Sequence, residues 1–431
     1  MRQMIFFVLV VGLFGQARGM PSTTSSDPCE AAGVGHLRLP YFYDQADSAT
    51  FDYAYYYHPA KEGAVTAIFL TGGPGQTSID TVKDSAIEYP KDFGLLLIDY
   101  RGLGCNRPRS TDFYPDGFYT SENMARDVVE VIKALRLNRY VLSGVSFGSM
   151  VATEVAGMTE RGLAPKPLAV ALAGTVGHAD QEKGDLFSEY MNQWDLAKAA
   201  LPADIVALLN GSAHPLGLSA EEWGNWISDQ LTFAAEPPSN HSDGIDDSRF
   251  EQLSLLRPNA DLQRRSDFVK QVRQNSIDDH TTDPATERLY RLIMCHEDTF
   301  TPLNSNTDAD FKFENGELVP EPSDLCRGIS MDHPFDSAQW QITSPIYYFA
   351  GTKDPSTPIP QAFYHLHVHP EAPRIFIELP EAAHSALYRN LRSCEPAIWN
   401  AIIGKAGNLR TALATCPSRA NVTKYAIGEG Q

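Results

Sequence analysis

Ser146 sits in the pentapeptide Gly144-Val145-Ser146-Phe147-Gly148, a G-x-S-x-G box. An apolar stub, Tyr140-Val141-Leu142-Ser143, precedes it, and a small-residue stretch able to start a helix follows, Ser149-Met150-Val151-Ala152. Strand, sharp turn, helix is the setting that exposes a serine as a nucleophile. A serine hydroxyl attacks a carbonyl only when a base takes its proton and a third group orients that base. Asp354, in Gly351-Thr352-Lys353-Asp354-Pro355, and His384, in Ala382-Ala383-His384-Ser385, follow it in the chain. Each alone has an ordinary explanation, since an Asp before Pro starts turns and a loop His is usually bland. Together, in the order Ser, acid, His, they predict a catalytic triad. The oxyanion formed on attack needs fixed N–H donors. The backbone N–H of Phe147 supplies one in this scheme. Gly73, in the turn Thr71-Gly72-Gly73-Pro74-Gly75, supplies the other.

These residues need a scaffold that brings distant stretches to one rim. Residues 64–70, 93–98, 139–143, 167–174 and 345–350 are apolar without alternation, as in strands buried on both faces of a parallel sheet. Residues 374–379 read as the last strand. Residues 35–43 and 50–58 alternate and are rich in Tyr, which predicts a β-hairpin or two leading strands. Met124, Val128, Val131, Ile132 and Leu135 recur at helical spacing, so residues 121–137 form a helix capped by Thr120 or Ser121. The alternation of strand and helix predicts an α/β class with a mostly parallel central sheet and helices on both faces. Asp354 and His384 then fall just past strand ends, where such sheets place their sites. From about residue 177 to 335 the rhythm stops. That stretch is charged, aromatic and mostly helical in pattern, and reads as a cap inserted between a first core part, residues 20–176, and a second, residues 336–431.

The chain has 431 residues, 43% hydrophobic and 21% charged, as in a globular protein. Its formal net charge of −19 argues against nucleic-acid partners and anionic membrane surfaces. Met1-Arg2, an apolar run from Ile5 to Gly15, and Ala17-Arg18-Gly19 read as a cleavable export signal over residues 1–19, with an uncleaved anchor as the competing reading. The mature chain is then expected to be secreted or periplasmic, without stable membrane association. The six cysteines are Cys29, Cys105, Cys295, Cys326, Cys394 and Cys416. An even number in an exported chain predicts disulfides, although six cysteines allow fifteen pairings. Spacing suggests Cys394 with Cys416 and Cys295 with Cys326, leaving Cys29 and Cys105. No C-x-x-C pair or second His at ligand spacing points to a metal, and the triad chemistry needs no cofactor. Asn210, Asn240 and Asn421 lie in N-x-S/T sequons. Trp223 and Trp226 share a helical face, where they either line a pocket for an apolar side chain or pack a core.

Thr71-Gly72-Gly73-Pro74-Gly75 resembles the H-G-G-P-G box of the prolyl iminopeptidase and tripeptidyl-aminopeptidase family of α/β-hydrolases. Asp99-Tyr100-Arg101-Gly102-Leu103-Gly104 is similar to its D-x-R-G-x-G segment. Ser146, Asp354 and His384 match its triad. The arrangement of the cysteines resembles the secreted tripeptidyl branch. The resemblance implies the α/β-hydrolase fold and a serine exopeptidase acting on peptide N-termini. It implies a cis Gly73–Pro74 bond, and structural roles for Asp99 and Arg101 in pinning the loop beneath the site. Cys295-His296-Glu297-Asp298 is similar to a C-x-D segment of that branch, which makes Glu297 or Asp298 the expected partner of a substrate ammonium. Thr71 departs from the family's His, and Asn106 from its Ser. Other readings of the same residues are an esterase acting on small esters or lactones and a non-catalytic binding protein on a hydrolase scaffold.

Overall fold

The computed structural model describes residues 27–79, 89–108, 114–179, 183–212, 215–233, 248–280, 284–297, 308–323, 326, 328–329, 333–384, 386–404 and 408–427. The expected signal segment, Asp298 and the Asn240 sequon lie outside them.

The leading hairpin is β1 (Val34–Pro40) and β2 (Thr50–His58), paired antiparallel. The chain continues through β3 (Thr66–Leu70), β4 (Gly94–Ile98), α1 (Ser121–Ala134), β5 (Tyr140–Val145), α2 (Phe147–Glu160) and β6 (Ala169–Ala173). Next come the helices α3 (Lys183–Ala199), α4 (Ala203–Asn210), α5 (Ala220–Phe233), α6 (Leu262–His280) and α7 (Pro284–His296), then the hairpin β7 (Asp308–Glu314) and β8 (Glu317–Ser323). The sheet resumes with β9 (Ile346–Gly351), α8 (Ile359–Val368) and β10 (Arg374–Leu379). The chain closes with α9 (Ala386–Asn390), α10 (Glu395–Ile402), α11 (Leu409–Leu413) and β11 (Asn421–Tyr425).

Among the described residues, nine strands form one sheet in the order β1-β2-β4-β3-β5-β6-β9-β10-β11. From β4 to β10 all neighbours are parallel. The strands alternate between two cores: Ile68, Leu96, Leu142 and Val170 face one, and Ala67, Val141, Ala169 and Ala171 the other. Burial on both faces is why these runs read as continuously apolar.

β10 is not the last strand. β11 pairs antiparallel with it at the edge of the sheet, and its Asn-Val-Thr-Lys-Tyr sequence is largely exposed. An edge strand facing water needs no apolar run, so periodicity could not find it. The β7–β8 hairpin likewise interrupts an insertion expected to be mostly helical. Its turn is Asn315-Gly316, both at positive φ (54° and 86°). That dipeptide is the usual signal for a two-residue hairpin turn.

The insertion has its own core of Trp194, Trp223, Trp226, Phe250, Phe268 and Phe313, among others. At its neck the entering and leaving chains run side by side, with Ala179 N donating to Phe335 O (2.6 Å) and Ser337 N to Gly177 O (2.9 Å). Disulfides join Cys29–Cys105, Cys295–Cys326 and Cys394–Cys416, with Cα separations of 5.3, 5.4 and 5.4 Å. Among the described residues no helix is long and apolar enough to cross a membrane.

Candidate active site

Ser146 occupies the turn between β5 and α2 with φ 54° and ψ −126°. A non-glycine residue in this region is held at a cost of about 1–3 kcal/mol, so its surroundings must impose it. They do so from both sides. Ser146 N donates to Ala173 O at the end of β6 (2.9 Å), and Ser146 O accepts from Ser149 N (2.7 Å) and Ser149 Oγ (2.6 Å). The flanking glycines are small for a measurable reason. A Cβ on Gly144 would stand 2.4 Å from Gly148 O, and one on Gly148 would stand 2.1 Å from Leu70 O. The elbow and β3 therefore touch backbone to backbone. The serine itself is half-buried.

Asp354 lies three residues past β9 and is buried. Its Oδ1 accepts from Ser356 N (2.9 Å) and Thr357 N (3.0 Å), and its Oδ2 from Thr357 Oγ1 (2.7 Å). His384 follows β10 and presents Nδ1 to Oδ2 at 2.9 Å, to Oδ1 at 3.1 Å and to Thr357 Oγ1 at 3.0 Å. An edge facing carboxylate oxygens must carry the ring proton, which leaves Nε2 as the basic nitrogen. The imidazole lies against Gly174, where a Cβ would be 2.7 Å from its Cε1. Gly174 directly follows Ala173, the residue whose carbonyl holds Ser146 N. His384 and Ser146 thus meet the same end of β6.

The glycine turn after β3 faces the elbow. A Cβ on Gly72 would fall 3.1 Å from Ser146 Cβ, Gly73 has φ 112°, and the Gly73–Pro74 peptide is cis, as the resemblance implies. Phe147 is the first residue of α2, where backbone N–H groups lack helical partners. Its ring packs edge-on against Tyr100 (5.5 Å), whose hydroxyl donates to Thr71 O (3.0 Å). Thr71 Oγ1 donates to Gln76 O (3.0 Å). These bonds hold the turn without the histidine that the resembling family has there.

Asp99 and Arg101, buried just past β4, hold the surrounding loops. Asp99 Oδ1 accepts from Ser78 N (2.6 Å) and Ile79 N (3.0 Å), and Oδ2 from Cys105 N (3.1 Å). Arg101, fully buried, pairs with Asp127 through Nε (2.8 Å) and Nη2 (2.5 Å) and caps the Tyr41 and Phe118 carbonyls. Asn106 spans strands, donating to Ala54 O and Asp99 O and accepting from Ala54 N.

Of the expected substrate-binding residues, Asp298 lies outside the described residues and Trp223, Trp226 and Glu297 are buried. Trp223 and Trp226 are buried in the core of the insertion, where Trp223 Nε1 donates to Pro215 O (2.8 Å). Glu297 is buried, and its carboxylate accepts from Ser121 N at the start of α1 (2.9 and 3.2 Å). A helix N-terminus attracts a carboxylate, and that is the task this geometry gives Glu297. Ser121 Oγ also donates to Glu154 (2.9 Å). Burial first, then the Glu297 charge, push the Glu154 carboxyl well above its usual range. Sequence reading missed Thr357 and Gly174. The first had a signal: an Asp side chain commonly bonds the backbone two residues on in an Asx turn, here Ser356 N, which brings the next residue's hydroxyl within reach of the same carboxylate. Among the described residues no three His, Cys, Asp or Glu side chains are grouped to hold a metal.

A family model described as alpha/beta hydrolase fold matches residues 68–203, a stretch that includes Ser146 and stops before Asp354 and His384. No curated protein sequence matches the chain. Similar solved structures include a proline iminopeptidase from Mycobacterium smegmatis, at 16% identity and a TM-score of 0.44, covering 86% of this chain and 98% of that one. A putative non-heme bromoperoxidase from Mycobacterium tuberculosis is 13% identical with a TM-score of 0.43, covering 84% and 100%. A proline iminopeptidase-related protein from Thermus thermophilus is 15% identical with a TM-score of 0.39, covering 86% and 99%. With the family-model match over residues 68–203, and with a nine-stranded, mostly parallel sheet carrying an inserted helical region, the chain has the α/β-hydrolase fold.

Proposed function

We propose that the protein is an exported serine hydrolase that removes residues from free peptide N-termini through an acyl-enzyme. The observation that carries the reading is the Asp354–His384 pair, set against the strand end that also holds the strained Ser146. Ser146 Oγ attacks the scissile carbonyl as His384 Nε2 takes its proton. The Phe147 and Gly73 N–H groups receive the oxyanion. His384 then protonates the leaving amine, and water repeats the sequence on the ester. The peptidase part rests on the resemblance of residues 71–75 and 99–104 to the aminopeptidase family. Export is supported by the charged and apolar N-terminal pattern and by three disulfides, which persist in oxidising compartments.

The test is a fluorophosphonate label followed by a substrate panel. Labelling at Ser146, absent in Ser146→Ala, is expected, with aminoacyl or tripeptidyl anilides cleaved and their N-blocked forms spared. Faster turnover of simple esters or of blocked peptides would reassign the substrate. An unlabelled wild-type protein would end the serine-hydrolase reading.

A further inference from the structure

The insertion is bonded to the triad by a directed set of hydrogen bonds, and Tyr190 is its centre. The carbonyls of Thr232 and Phe233, the last described residues of α5, have partners outside the helix. Groups of the core supply them. His384 N donates to Thr232 O (3.0 Å), and Arg389 Nη1 donates to Phe233 O (2.6 Å). The backbone of the base therefore hangs on the last turn of an insertion helix.

A second line of bonds reaches the acid. Thr232 Oγ1 donates its proton to Ser228 O (2.8 Å), a group that can only accept. Tyr190 from α3, 2.8 Å from Thr232 Oγ1, must then be the donor in that contact. The Tyr190 oxygen in turn accepts from Ser356 Oγ at 2.6 Å. Ser356 is two residues beyond Asp354 and donates its own N–H to Asp354 Oδ1 (2.9 Å). The order Ser356, Tyr190, Thr232, Ser228 O gives Tyr190 and Thr232 one donor and one acceptor role each, with Ser356 Oγ as the donor that starts it and a longer contact of its own to Thr232 Oγ1 (3.4 Å). Tyr190 is 5% exposed, and its phenol is held neutral by burial first and by the Asp354 charge among the lesser causes, which suits a permanent donor.

We propose that Tyr190 is a positioning residue. It acts through Ser356 and Thr232 to set the acid loop and the base against the insertion, so that triad alignment depends on how the insertion is seated. The inference rests on the serine-hydrolase reading and adds a residue to it.

Tyr190→Phe keeps the ring and removes only the hydroxyl. A misplacement well under an ångström at a reacting group costs about tenfold in rate, so kcat is expected to fall about tenfold with KM little changed. Inactivation by a small fluorophosphonate, which needs no insertion contacts, should slow by a similar factor. Ser356→Ala should give the same loss, and the double variant no more than either alone, since both break one chain of bonds. Thr232→Val should resemble Tyr190→Phe, while Thr232→Ser restores the rate. If Tyr190→Phe does not fold, Ser356→Ala and the Thr232 pair carry the test. Wild-type kcat and labelling in these variants, or a loss confined to KM, overturns the proposal and leaves the hydrolase reading standing. Failure of the wild-type protein to label strikes that reading instead.

Discussion

His384 Nδ1 lies 2.9 Å from Asp354 Oδ2 and 3.1 Å from Oδ1, with Thr357 Oγ1 in the same cluster at 3.0 Å from the ring nitrogen. The contact fixes both the ring's orientation and its tautomer. Replacing Asp354 with Asn presents Nδ1 with an amide that can donate, and allows the proton to move to Nε2. On the serine-hydrolase reading, Asp354→Asn is expected to lower kcat on the order of 10⁴-fold, as loss of the correct tautomer does in such triads. Steady-state kinetics at saturating substrate checks it. Activity within tenfold of wild type would show that this carboxylate does not orient the base.

Gly148 is where the elbow meets β3. An added Cβ would stand 2.1 Å from Leu70 O and 2.6 Å from Thr71 O, both backbone atoms at the root of the glycine turn. Neither can swing aside. Gly148→Ala should destabilise the fold by about 1–3 kcal/mol or more, as overpacking does, and should displace the turn that carries Gly73. A lower urea midpoint accompanied by slower serine labelling is the expected pair of results. An unchanged midpoint would contradict this close approach.

Arg101 and Asp127 form a buried ion pair, and Tyr43 donates to Asp127 Oδ1 (2.7 Å). Removing one member strands the other charge. Asp127→Ala should cost about 3–5 kcal/mol. Tyr43→Phe removes one hydrogen bond and should cost about 1–3 kcal/mol, since that bond is to a charged group. Denaturant titration of both variants gives the comparison, and equal losses would count against a buried charge.

Two buried histidines make stability depend on pH. His365 bonds Thr153 Oγ1 and Tyr348 OH, each at 2.9 Å, and its ring lies 4.3 Å from that of His369. Burial, then the Arg374 charge, lower His369 from 6.5 to about 4, and burial lowers His365 well below 6.5. The folded state therefore binds fewer protons than the unfolded chain between about pH 6.5 and 4. Stability should be full above pH 6.5 and should fall as pH drops through that window, with His369 contributing on the order of 3 kcal/mol. His369→Leu should reduce the dependence of melting temperature on pH over this range, leaving the part that His365 contributes. A wild-type slope retained in full would assign the effect to other groups.

The sequence by itself determined the sheet and its site edge. Runs such as residues 66–70, 140–145 and 169–173 are mostly apolar because both faces are covered, a property each strand carries locally. The Gly144–Gly148 box declared its turn because only small residues tolerate that backbone contact. The order of Ser146, Asp354 and His384, each just past a strand end, made the candidate triad legible before any coordinates.

Tertiary structure decided what depends on contacts between distant segments. Thr357 and Gly174 join the site only because two loops and the end of β6 converge there. Glu297 became the partner of Ser121 N, and Trp223 and Trp226 became core, because the packing of the insertion turned them inward. β11 is a strand because β10 offers it an edge, with little in its own residues to demand one. A residue's type and its near neighbours set its local conformation; its partners are set by the path of the whole chain.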